Sequence, residues 1–200
     1  ELERLRTENE KNQVTISKYI KIEQDLKNQS IEVPTEVVTT KVVRKGTVPF
    51  LAGEDVLNIS DIFTNLDEMT MIESFLNIGQ LKYALIYKSS RDGDKAEIFH
   101  LRVSESVDTL VLIKTTKGKR FGGFTRETWD GDDVSKKDPE AFIFSLTDLK
   151  CFECHPNGVA IWCYNNYGPI FAGDQIYIVD NFMHNNSNKT ALKGEGYCTE

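Results

Sequence analysis

The clearest signal for the fold lies in residues Thr109–Leu146, TLVLIKTTKGKRFGGFTRETWDGDDVSKKDPEAFIFSL. It contains three β-rich runs, Leu110–Ile113, Phe121–Phe124 and Phe142–Phe144, which are separated by turn and loop residues. Such runs predict an antiparallel meander. The first and last runs are apolar at consecutive positions, which is typical of strands buried on both faces. We therefore predict a layered core rather than a single sheet with one solvated face.

Composition limits the classes of partner. The 200 residues carry a net charge of −7, which argues against nucleic acid and anionic membranes as partners, because both attract basic surfaces. No apolar run reaches the roughly 18 residues of a membrane span, so we expect no membrane insertion. The first residues, ELERLRTENE, do not form a secretory signal, and four cysteines are too few for a disulfide scaffold. We therefore expect a cytoplasmic protein, in which the sequons at Asn185–Ser187 and Asn188–Thr190 stay unused.

The first unit is residues 1–28, which we predict to be a coiled-coil helix able to form a homodimer. The alternative is a single charged helix. The proposed core positions of the heptads are Leu2, Leu5, Asn9, Asn12, Ile16, Tyr19, Glu23 and Leu26.

Residues 29–57 form a predicted connector, because prolines and glycines interrupt it. Within it, Val37-Val38 and Val42-Val43 are expected to pair as short edge strands. The globular domain is expected over residues 58–200.

Within that domain, Asn65 and Glu68 have the spacing of a capping box for a helix that ends near Ile78, with Gly79 as the stop. Its apolar face is predicted to contain Leu66, Met69, Ile72, Phe75 and Leu76. The alternation from Leu81 to Lys88 predicts a strand. Residues 89–93 read as a turn. Asp94 is expected to cap a short helix that buries Ala96, Phe99 and Val103, and later strands are expected near 150–153, 159–164 and 175–179.

Cys151, Cys154 and His155 match the c-type haem pattern C-x-x-C-H. In a strand, however, side chains three residues apart point to opposite faces, so the two cysteines cannot hold one haem. Zinc is a second possibility, with Cys163 and His184 as further ligands, but the spacing fits no known finger. We therefore expect thiols without a metal, and no cofactor.

The sequence also gives little support for a nucleophilic, phosphate-binding or calcium site. Neither His100, His155 nor His184 lies beside a serine or cysteine in a nucleophile motif, and His100 is expected to be a side-chain cap or a surface residue. Gly118, Gly122 and Gly123 lack the Lys-Ser/Thr of a phosphate-binding loop and are expected to allow a bulge or close approach of the backbone. Three neighbouring carboxylates lack the spacing of a calcium-binding loop, so a solvated turn is expected. They are Asp130, Asp132 and Asp133.

Several linked motifs resemble the TLDc domain family over roughly residues 58–198. Residues 82–93 (KYALIYKSSRDG) with Phe99-His100 are similar to the family's opening strand, turn and helix. Residues 121–125 (FGGFT), Trp129, and residues 137–146 (KDPEAFIFSL) are similar to its central signature. Tyr167–Phe171 and Ile176–Ile178 are similar to its later strands.

The resemblance implies an α+β domain in which two antiparallel sheets pack as a sandwich with flanking helices. It also implies a cytoplasmic protein linked to oxidation resistance, with protein partners such as the vacuolar proton pump (V-ATPase), and no agreed catalytic residues.

Two departures from the family pattern stand out. The loop Ala172–Gln175 is shorter than usual. The family continues into a final strand, whereas this sequence ends at Glu200, so we expect the C-terminal end of the domain to be incomplete here, which would leave a sheet edge unpaired.

The function that we expect is a non-catalytic interaction module docking on a larger assembly. One alternative is a structural or cytoskeletal coiled-coil protein decorated by this domain. A weaker alternative is a thiol-based antioxidant enzyme, which would need an accessible thiol of low pKa. No partner-binding residues are assigned from the sequence.

Overall fold

The computed structural model describes residues 33–44, 64–76, 81–171 and 175–190. All of them belong to one compact unit, which covers residues 32–200. The predicted coiled-coil helix at 1–28, the helix stop at 78–79 and most of the short loop at 172–175 lie outside the described residues.

Two antiparallel sheets make up the described fold. The first has the order β2-β1-β3-β4-β6-β7 and the second the order β11-β10-β9-β8-β5. The strands are β1 (Pro34–Arg44), β2 (Leu81–Lys88), β3 (Thr109–Thr115), β4 (Arg120–Thr125), β5 (Val134–Lys136), β6 (Phe142–Ser145), β7 (Lys150–Glu153), β8 (Ile161–Cys163), β9 (Tyr167–Phe171), β10 (Ile176–Val179) and β11 (Lys189–Thr190). The two sheets and few helices agree with the predicted sandwich-like architecture.

β3 and β6 of the first sheet are buried on both faces, as their apolar runs predicted. Val111 and Ile113 of β3 belong to a core cluster that also contains Ile161 and Phe171 of the second sheet. Leu110 and Leu112 belong to a second cluster on the opposite face. Consecutive apolar residues in β3 are therefore explained by two separate cores.

The predicted edge strands in the connector are wrong. Residues 34–44 form one continuous strand, β1, which pairs with β2 on one side and β3 on the other. Val37 and Val38 are completely buried and face different core clusters. The first sheet thus takes an internal strand from residues assigned to the connector.

Three helices are described: α1 (Leu66–Leu76), α2 (Ser89–Asp92) and α3 (Ala96–Val103). α2 replaces the predicted turn. None of the helices among the described residues has the length and apolar character that crossing a membrane requires.

α1 covers the second core cluster with Met69, Ile72 and Leu76. Leu66 and Phe75 are exposed, so the predicted apolar face is narrower than expected. The predicted Asn65 cap is confirmed, because its side-chain oxygen accepts a bond from the Glu68 N–H at 3.0 Å.

α3 buries Ala96, Phe99 and Val103, as predicted. The expected Asp94 cap is wrong. The Ala96 N–H donates instead to the Asp180 carboxylate at 2.8 Å, from a residue that follows β10. Asp94 accepts a bond from the Met183 N–H at 3.2 Å, so it fixes a different segment.

Gly122 and Gly123 in β4 permit close packing on both faces of the first sheet. A Cβ atom at Gly122 would lie 2.8 Å from Cζ of Phe144, and one at Gly123 would lie 2.7 Å from Cε1 of Phe171. The predicted close approach at these two glycines is confirmed.

Candidate functional site

The SSRDG segment, residues 89–93, forms a closed polar network. The Glu36 carboxylate accepts hydrogen bonds from the Ser89 and Ser90 hydroxyls, both at 2.8 Å. The Asp92 carboxylate accepts one from the Lys88 N–H at 2.9 Å. These side chains bind one another and the backbone, so their role is to fix the junction of β1, β2 and α2.

The central signature contains a second network around Asp138, which is buried. Its carboxylate accepts bonds from the Thr125 hydroxyl at 2.9 Å and from the N–H groups of Arg126 and Glu140 at 2.7 and 3.0 Å. The Arg126 guanidinium donates in turn to the Glu140 carboxylate at 2.7 Å. The carboxylate therefore joins the end of β4 to the start of β6.

Trp129 is a core residue. It is completely buried, and its indole N–H donates to the Thr109 hydroxyl at 2.8 Å. Its ring makes edge contacts with Phe99 and Phe171, with centroids 5.6 and 5.3 Å away. This signature tryptophan therefore connects α3 and the two sheets.

The residues considered for haem or zinc do not converge. Cys151 packs with the cluster under α1, whereas Cys154 lies in the cluster between the sheets, so the prediction of opposite faces is confirmed. His155 and His184 are exposed. Across the part of the chain that the structure describes, no three His, Cys, Asp or Glu side chains are grouped as metal ligands.

Burial determines the protonation state of two cysteines in the core. Burial raises the pKa of Cys151 to about 12 and that of Cys163 to about 11. Both side chains are therefore neutral thiols near pH 7, whereas the nucleophile in thiol chemistry is the thiolate.

His100 is half-buried and acts as a clamp between elements. Its Nε2 lies 2.9 Å from the carbonyl oxygens of both Tyr164 and Tyr167, and its Nδ1 lies 3.2 Å from the Ser104 hydroxyl. Because carbonyl groups only accept hydrogen bonds, Nε2 carries the proton. The side chain thus ties α3 to the turn between β8 and β9, a contact that the cap or surface prediction did not include.

The carboxylates of the Asp130–Asp133 turn also point to different partners. The Lys136 ammonium contacts the Asp130 carboxylate and donates to the Thr128 carbonyl at 2.7 Å. Asp132 accepts a bond from the Asn165 N–H at 3.0 Å. A lysine therefore occupies the position where a cation would neutralise Asp130.

A shallow cavity of about 210 Å³ lies between the end of α1 and the first sheet. Phe75, Phe124 and Phe142 form its apolar wall, with ring centroids of Phe124 and Phe142 5.3 Å apart. Glu140 and Glu153 lie at its rim. Arg126, which pairs with Glu140, also lines the cavity, so the rim carries both charges. This cavity was not predicted.

A second unpredicted surface, the aromatic face, consists of Trp162, Tyr164, Tyr167 and Tyr177 on the outer side of the second sheet. Successive ring centroids are 5.9, 5.6 and 5.1 Å apart. The sequence holds a signal for it: Trp162 and Tyr177 each lie between two residues of the inter-sheet core. That alternation places them on the outer face.

Comparison with known proteins identifies the family of this chain. A family model described as the TLDc domain matches residues 57–199. The chain belongs to the TLDc domain family. No curated protein and no solved structure shows significant similarity to it.

Proposed function

We propose that this TLDc chain is a non-catalytic docking module, which acts in the cytoplasm by binding a larger protein assembly. The observation that carries the proposal is the internal use of the signature's polar groups. Ser89, Ser90, Asp92 and Asp138 each bond to neighbouring elements of the domain. Because these groups are used inside the domain, we assign partner binding to surfaces outside the signature.

The assembly that we propose is the vacuolar proton pump (V-ATPase), and the activity in the cell is protection against oxidative stress. Membership of the TLDc family supports this choice, because TLDc proteins are associated with oxidation resistance and some bind this pump. The net charge of −7 on the 200-residue chain favours association with a partner surface of opposite charge.

Sedimentation velocity tests the identity of the assembly. The purified cytosolic sector of the proton pump, mixed with a fluorescent form of the full chain at physiological salt, should carry the label at its own sedimentation rate. A label that sediments at the rate of the free chain across micromolar concentrations would exclude the pump as the partner.

The thiol-enzyme alternative receives less support, because the pKa values of Cys151 and Cys163 are raised to about 12 and 11. Both thiols should resist iodoacetamide at pH 8 in the folded chain, by about a thousandfold for Cys151 relative to an ordinary thiol. Mass spectrometry of the alkylated peptides before and after urea unfolding measures this. Rapid labelling of either thiol in the folded chain would restore the enzyme alternative.

The structural alternative rests on residues 1–28, outside the described part of the chain. We expect a discrete particle rather than a lattice, and light scattering of the full chain at micromolar concentration measures the difference.

A further inference from the structure

We infer that the aromatic face, together with the carboxylates of Asp132 and Asp133, binds an arginine or lysine side chain from a basic segment of a partner protein. This inference rests on the proposed docking function and gives the partner surface a chemistry. It assigns the contact to the second sheet, away from the signature motifs.

The first argument is the arrangement of the rings. Trp162 and Tyr164 are nearly parallel, with an angle of 5° between their planes, whereas Tyr164 and Tyr167 meet at 73°. Tyr167 and Tyr177 are tilted by 53°. Rings that face different directions offer a cation more than one negative face.

The rings are also held in place by the sheet beneath them. Ile170 of β9 pairs with Trp162 on one side and Tyr177 on the other. Its side chain is completely buried but belongs to neither core cluster. The aromatic face is therefore built on a fixed apolar base, which lowers the entropy lost when a ligand binds.

One end of the aromatic face already carries a cation. The Lys189 ammonium lies 5.9 Å from the centroid of the Tyr177 ring. Lys189 pairs with Tyr177 across β10 and β11, so this contact is a product of strand register. It shows that the rings suit an ammonium group at this end.

The opposite end carries negative charge. Asp132 and Asp133 are exposed and lie beside the β8–β9 turn, where Asp132 accepts the bond from the Asn165 N–H at 3.0 Å. Asp133 accepts a hydrogen bond from Tyr164. Carboxylates joined to aromatic rings complement a guanidinium, which can stack on a ring and donate to a carboxylate at once.

Fluorescence anisotropy with a labelled peptide of alternating arginine and glycine tests the site on the full chain, at about 150 mM salt. We expect saturable binding that becomes about tenfold weaker in the double variant Trp162→Leu/Tyr164→Leu. Leucines keep Ile170 covered but remove the ring faces. Circular dichroism of each variant confirms that it is folded.

Charge variants distinguish a local effect of Asp132 and Asp133 from the effect of the protein's net charge. Asp132→Asn/Asp133→Asn, which keeps oxygen acceptors at both positions, should weaken binding several-fold. The matched control, Asp67→Asn/Glu153→Gln, makes the same change in net charge at exposed positions on α1 and β7, and should leave binding within about twofold.

Three results would overturn the inference. The first is equal weakening in the two charge variants, and the second is unchanged binding after loss of the two rings. The third is saturable binding of maltopentaose in place of the basic peptide, which would indicate a sugar site. Docking on an assembly that survives Trp162→Leu/Tyr164→Leu would remove this surface and leave the proposed function standing.

Discussion

Individual side chains of the TLDc signature are explained by internal contacts. Asp138 satisfies two backbone N–H groups and a hydroxyl, and Trp129 donates to Thr109 inside the core. A buried carboxylate with such partners is costly to remove, because its donors are left unpaired. These residues therefore stabilise the fold. The docking surface that we propose lies elsewhere on the domain.

The ion pair between Glu68 and Arg120 gives a pH-dependent prediction. Burial alone would raise the pKa of Glu68, but hydrogen bonds from Arg120 and Thr64 outweigh it and lower the pKa below its ordinary value of 4.5. A carboxyl with a lower pKa in the folded state stabilises the fold above that ordinary value. This contribution is lost as the pH falls through the folded pKa.

Arg120→Met should therefore reduce the free energy of unfolding at pH 7 by about 3 kcal/mol, because it leaves the Glu68 carboxylate buried without its cation. The difference from the original chain should narrow as the pH falls below about 4.5. Urea unfolding at several pH values measures both effects. A control is Arg91→Met, because the Arg91 side chain is half exposed and Arg102 stays 3.8 Å from the Asp92 carboxylate, so the loss should be at most about 1 kcal/mol. A difference that is independent of pH would contradict the assignment to Glu68.

Gly122→Ala should be among the most destabilising small substitutions. The new methyl group would meet the Val111 carbonyl oxygen in β3 as well as the Phe144 ring, so the backbone itself must move. We expect a loss of about 3 kcal/mol, at the upper end of overpacking effects. Gly118→Ala adds a methyl to open space at φ +77° and should lose only about 1 kcal/mol. Equal losses in urea unfolding would show that contact with β3 and Phe144 is unimportant.

Elements differ in how far the sequence predicts them. β3, β4 and β6 were predictable because their apolar runs and turn residues are local signals. The internal position of β1 was not, because β1 contains charged residues and pairs with strands that follow much later in the chain. The Asp180 cap of α3 comes from a residue 84 positions away, so no local pattern indicates it.

Asp180→Ala tests this distant cap. Loss of its carboxylate leaves the first N–H of α3 without a partner, which should lower the free energy of unfolding by about 1 kcal/mol. Hydrogen exchange should become faster at Ala96. Lys95→Ala, at the exposed N-cap position, makes no side-chain bond to the helix and should be nearly neutral. Unchanged exchange at Ala96 in the Asp180 variant would contradict the cap.

The surface candidates were only partly predictable. The alternation around Trp162 and Tyr177 was present in the sequence, but the neighbourhood of Tyr164, Tyr167 and Asp133 depends on how β8, β9 and β10 pair. The cavity beside Phe75 likewise requires α1 to be placed on the first sheet. Tertiary arrangement, rather than local composition, creates both surfaces.

At the scale of the whole molecule, two packed sheets and a signature used for internal bonding support a domain that acts by binding. The chain is acidic, with a net charge of −7, and one outer sheet face presents aromatic rings beside exposed carboxylates. In the proposed function, this surface would attract a basic partner through long-range electrostatic interaction.

Affinity purification of the full chain from its native cells, at physiological salt, tests the docking claim most directly. We predict stoichiometric recovery of one defined assembly that contains subunits of the vacuolar proton pump. Elution of the chain alone, with no stable complex, would contradict the claim.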